Sequence, residues 1–124
     1  MRPIKFRAWD LLENKMIQWD ELTSGKHPYN YLSMLASDLG IVIWMQFTGL
    51  TDKNGKEIFE GDLMTLRNPD REWKQKYLEV YWDNNLNGFS MISADHLYQT
   101  PIMEEDYIVI GNIYENSELL KENL

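Results

Sequence analysis

The strongest constraint on the fold is punctuation. Between Ile4 and Ile113 the chain rarely runs more than about ten residues before meeting a cluster of Gly, Asn, Asp or Pro, and the stretches between clusters alternate apolar and polar side chains. A period of two sends successive side chains to opposite faces of a strand. Short strands joined by tight turns build a bent antiparallel sheet or a small barrel, not a helical bundle. The 124 residues suit one core, and sixteen aromatic side chains can supply much of it.

Ile4, Phe6 and Ala8 alternate with Lys5, Arg7 and Trp9, and residues 15–19 resume the pattern after an interruption at 11–14, predicting an N-terminal hairpin with Trp9 and Trp19 packed in a core or interface. Residues 21–31 are turn-forming. Tyr31, Leu35 and Leu39 then recur at helical spacing, closed by Gly40, and predict one short amphipathic helix. The β-branched and aromatic run 41–47 predicts a central strand covered on both faces.

Asn54-Gly55, flanked by Asp52 and Glu57, predicts a type I′ hairpin turn, with both central residues at positive φ. A second turn at 60–62, strands at 63–67, 77–82 and 89–92, a turn at 83–88 and a last strand at 107–113 follow. Asn116 is placed to cap a short terminal helix through Leu119 and Leu120. The fold class expected is mainly β with a minor α component: a bent antiparallel sheet closing toward a small SH3-like barrel, with one or two short helices. It is read as one domain over 1–124, divisible into an N-terminal subdomain 1–47 and a barrel-like part 48–114.

Charge and composition exclude several classes of function. The net charge is −8, and residues 63–124 carry five cations against eleven carboxylates. Phosphate neutralisation needs a basic face, so nucleic-acid binding is disfavoured. The one basic stretch, 67–76, offers Arg67, Arg71, Lys74 and Lys76, with Trp73 and Tyr77 as stacking platforms. With no cysteine there is no disulfide, thiolate zinc site or thiol nucleophile. No window approaches the length of a membrane span, and the start turns polar at once, so a cytoplasmic protein without a membrane partner is expected.

No catalytic, metal or cofactor site emerges. His27 and His96 lack a partner imidazole at helical spacing, and Asp95 would need a turn to meet His96, since adjacent strand residues point to opposite faces, so His96 reads as a partly exposed loop histidine. Glu104, Glu105 and Asp106 read as a solvated loop. The stretch from Asp52 fails as a calcium loop because Leu63 stands where the bidentate Glu belongs. Gly49, Gly55 and Gly61 separate strands instead of opening a helix toward a phosphate.

Three ordered blocks remain: 5–10, with Trp9 and Asp10; 45–62, from Met45-Gln46-Phe47-Thr48-Gly49-Leu50 through Asp52-Lys53-Asn54-Gly55-Lys56-Glu57 to Gly61-Asp62; and 110–116, Ile-Gly-Asn-Ile-Tyr-Glu-Asn, with Gly111 and Asn112. Together they resemble the YopX family across nearly the whole chain. The resemblance implies a β-rich, SH3-like barrel, carriage by a phage or prophage in the bacterial cytoplasm, and no catalytic residue to transfer. It implies scaffold roles: Gly49, Gly55 and Gly61 at turns, Asp52 and Asp62 as turn or strand-end acceptors, and Trp9 with Phe47 in the core. Ser117 stands where the family usually carries Pro, leaving the terminal helix without a preset φ at its start.

The function expected is a non-catalytic interaction module that self-associates, since many short strands leave edges needing a partner. Its partners would be a second copy, or a host or phage protein. The alternatives are an acidic mimic of DNA that inhibits a host protein, and a nucleic-acid binder working through 67–76.

Overall fold

The structure, a computed structural model, describes residues 3–24, 42–66, 77–102 and 107–121. Within these the order is β1 (Phe6–Asp10), β2 (Lys15–Ile17), α1 (Trp19–Thr23), β3 (Val42–Thr51), β4 (Glu57–Phe59), β5 (Asp62–Leu66), β6 (Leu78–Asp83), β7 (Gly88–Ile92), β8 (Gln99–Pro101), β9 (Tyr107–Asn112) and α2 (Glu118–Lys121). The chain is mainly β, as the turn spacing requires, and its strands pair antiparallel. It divides into two compact units, Met1–Phe47 and Thr48–Leu124. The expected helix over 31–39 and the basic stretch 67–76 lie outside the described residues.

In the first unit β1 is central, pairing Ala8 with Ile17 of β2 and with Trp44 of β3. That register gathers Ala8, Ile17 and Leu22 into a buried cluster, flanked by Trp19, Val42 and Trp44. The alternation in β1 does not mark one wet face, because Arg7, Ala8, Trp9 and Asp10 are all buried. Trp9 faces Met16 across the hairpin. Trp19 is not in a strand: it opens α1, where the expected turn region begins. At helical spacing Trp19 and Leu22 share one face, and that face meets the Ala8 cluster, so packing overrides the two-residue period. Trp19 also lies 6.2 Å from Phe6, which meets Trp44 edge-on. The expected two-sided cover of β3 is partial, since Val42, Ile43 and Trp44 are only half-buried while Met45 and Phe47 are buried.

The second unit is a curled five-stranded sheet in the order β8-β7-β6-β5-β9, with β4 paired to the end of β3. Ile58, Met64, Leu78, Val80, Met91 and Tyr107 form its core. The pairing Val80 with Met91 puts both on one face, and each such side chain contributes roughly 1.5–3 kcal/mol of gross burial free energy. β3 bends at Gly49, φ 89°, where the buried Thr48 hydroxyl donates to the Ile58 carbonyl and accepts the Leu50 N–H. A three-residue strand, β8, is an element the sequence did not announce; Pro101 confines it to an edge. Asn116 does not cap α2 with its side chain; its Oδ1 turns back to accept the Asn112 N–H. Among the described residues no helix is long and apolar enough to cross a membrane.

Candidate functional site

The motif residues converge on one local device, a strand that ends in Asp or Asn whose side chain holds the next turn. Asp10 Oδ1 accepts the N–H of Leu12 and Glu13, and Asn14 closes that turn at φ 53°. Asp83 Oδ1 does the same for Asn85 and Leu86, with Asn87 at φ 50°. Asn is among the few side chains that take this left-handed conformation readily, because its short amide bonds locally. Asn112 Oδ1 accepts from Tyr114 and Glu115, and its amide donates to Glu115.

Asp52 does most. Its Oδ1 accepts from Asn54 and Lys56 at 2.8 Å each, and its Oδ2 accepts the Val109 N–H of β9 at 2.9 Å. The turn it holds is not type I′. Asn54 keeps a negative φ, Gly55 alone is at +83°, and the Asp52 N–H donates to the Lys56 carbonyl, which makes a three-residue loop with a glycine bulge. Asp62 Oδ2 accepts the Phe59 N–H across the turn at Gly61, φ 84°. Gly111 is set by space: a Cβ there would lie 2.3 Å from Asn116 Oδ1. Trp9 and Asp10 are buried, as is Tyr77, whose ring is therefore withdrawn from the stacking role expected of it. Arg67, Arg71, Trp73, Lys74 and Lys76 lie outside the described residues.

What these bonds leave is a cavity of about 320 Å³ at one end of the second unit, lined by Asp83, Asn85, Leu86, Ser90, Gln99, Thr100 and Pro101. Asp83, Ser90 and Thr100 are each more than nine-tenths buried. Asp83 Oδ2 accepts the Tyr81 hydroxyl at 3.1 Å and the Gln99 amide. The Asn85 N–H foremost holds the Asp83 carboxyl below its usual range, with Gln99, Tyr81 and Leu86 assisting against the opposing effect of burial. Tyr81 is pushed up by burial and by its bond to Asp83. No motif in the sequence marks this cavity, although Asp83-x-x-x-Asn87 repeats the spacing of Asp10-x-x-x-Asn14.

On β6, burial raises the Glu79 carboxyl above its ordinary value, and His96 partly offsets this. A carboxyl with a raised folded-state pKa contributes most to stability below its unfolded value and loses that contribution as pH rises through the folded one. Glu79→Gln is therefore expected to melt higher than the parent at pH 7, with the gain vanishing near pH 4. A gain of equal size at both pH values in thermal unfolding contradicts this.

Among the described residues no group of three His, Cys, Asp or Glu side chains could hold a metal ion. No curated protein matches the chain. The solved crystal structure of protein EF1440 from Enterococcus faecalis is similar over 97% of this chain and 99% of its own, with 28% identity and a TM-score of 0.65. The sequence model described as YopX protein matches residues 5–121, nearly the full length and all three blocks. The chain belongs to the YopX family.

Proposed function

We propose that the protein is a non-catalytic, self-associating interaction module, of phage or prophage origin and acting in the bacterial cytoplasm. The observation that carries the reading is the aromatic end of the β6–β7 hairpin. Val80 and Met91 lie in the core; two residues on, Trp82 and Phe89 continue the same sheet face past it, rings 5.0 Å apart at 77°, with Trp82 41% exposed. A large aromatic left in solvent at a rigid strand end is the residue type that anchors protein interfaces.

Sheet edges are the weaker candidates. On β9 the outer Val109 N–H and Tyr107 carbonyl already bond Asp52 and Lys53, and β8 is short and carries Pro101. The hairpin end is instead an isologous surface, where Trp82 of one copy meets Phe89 of the next.

Sedimentation velocity tests this. With eight excess negative charges per chain, copies repel, so association is expected to strengthen as salt is raised from low to physiological ionic strength. Trp82→Ala is expected to weaken self-association at least tenfold without unfolding the protein. A strict monomer at high concentration and all salt levels overturns the reading.

A further inference from the structure

We propose that the cavity lined by Asp83, Ser90, Gln99 and Thr100 is a binding site for an organic cation, an ammonium or guanidinium group on an aliphatic stem. The chemistry of its walls is one-sided. Asp83 brings a carboxylate to a position only 8% exposed, and among the described residues no Lys, Arg or His lines the cavity. All four of its bonds come from neutral donors: the Asn85 and Leu86 N–H groups, the Tyr81 hydroxyl and the Gln99 amide. Such donors stabilise the anion and leave its charge in place, and a buried charge is ordinarily paired with an opposite one.

Other groups at the cavity are able to accept. Gln99 commits its Nε2 to Asp83, which leaves its Oε1 to accept. The Ser90 hydroxyl, on a residue 3% exposed, bonds no described residue, and neither does the Thr100 hydroxyl. The Ser90 hydroxyl opens on the same cavity as the Asp83 carboxylate, and its oxygen has room to accept a hydrogen bond from a bound donor. Leu86 and Pro101 supply apolar wall for a methylene stem. About 320 Å³ lies at the lower end of the small-ligand range, enough for one side chain or a short amine.

Site and fold are separable here. Asp83 also holds its turn, so Asp83→Asn alone would confound the two roles; Ser90→Ala removes a hydroxyl that bonds no described residue and is expected to leave stability unchanged or slightly raised. The test is amide chemical-shift titration of the full chain with n-butylammonium, n-butylguanidinium and neutral n-butanol. The cations are expected to saturate shifts at Asn85, Leu86 and Thr100 with millimolar affinity, to weaken severalfold in Ser90→Ala and at least tenfold in Asp83→Asn, and to weaken with salt.

Equal response to n-butanol, or cation affinity unchanged in both variants, overturns the proposal. A second arm separates the source of the cation. Tighter binding of a capped lysine or arginine peptide than of the free amine assigns the site to a protein partner, and the reverse order assigns it to a small amine; either ranking presupposes the cation site. Sedimentation of the Ser90→Ala variant is expected to match the parent, so loss of self-association and loss of cation binding fail independently.

Discussion

Asp52→Ala is expected to destabilise the protein by about 2–3 kcal/mol, because it leaves the Val109 N–H without an acceptor, roughly 1–3 kcal/mol when buried, and removes two further bonds to the turn. Asn54 and Lys56 belong to the turn and can recover water; Val109 is the link to β9. Asp52→Asn separates these roles. Its remaining oxygen can serve either the turn or Val109, and its amide nitrogen faces a donor at the other position, so the expected cost is intermediate. Urea unfolding followed by far-ultraviolet circular dichroism measures both variants. Hydrogen exchange adds the local test: the Val109 amide should lose protection before the core amides of Leu78 and Val80. Equal stability of the alanine variant and the parent would show that the Asp52 bonds contribute nothing net.

The same residue shows what was legible in the sequence. Asp before Lys-Asn-Gly announced a hairpin, and the hairpin is there. Its turn type was not legible, because Asn-Gly by itself favours both residues at positive φ, whereas the carboxylate accepting from Asn54 and Lys56 stabilises a loop one residue longer. Strand positions in the second unit were legible from alternation and turns, since the face carrying Leu78, Val80 and Met91 is buried by its own sheet.

The first unit was harder. Residues 15–19 alternate like a strand, yet Trp19 and Leu22 gain more by packing on Ala8 and Ile17 from a single helical turn. β8 has three residues and a proline, and nothing in its composition separates it from a loop. The cavity was invisible for a related reason. Its lining comes from the end of β6, the following turn, β7 and β8, and only the sheet register brings Ser90 opposite Pro101 and Tyr81. The turn bonds of the motif residues, by contrast, lie within four positions, as those of Asp10 and Asn112 do, so these roles were readable without the fold, whereas the Asp52 bond to Val109 was not.

Gly111→Ala is the second large effect, expected at about 1–3 kcal/mol, the usual cost of forcing a methyl into a filled space. The cause is crowding, not backbone strain. The new Cβ would sit 2.3 Å from Oδ1, 2.6 Å from Cγ and 3.0 Å from Cβ of Asn116, so rotating the amide alone cannot clear it. Asn116 must move, and with it goes the bond from the Asn112 N–H to Asn116 Oδ1; the Asn116 N–H to Asn112 carbonyl bond that ties the same turn is loosened.

The strain falls beside the Ile113 N–H, which donates to the Gly61 carbonyl, and opposite Leu63 in the register of β9 with β5, so the damage reaches the two turns at 60–62 and 112–116 together. A double-mutant cycle isolates the mechanism. Asn116→Gly alone should cost about 1 kcal/mol for its lost bond. In the Gly111→Ala background the same change should cost nothing or restore stability, because it removes the atoms the methyl strikes. Additive losses in urea unfolding would place the defect elsewhere.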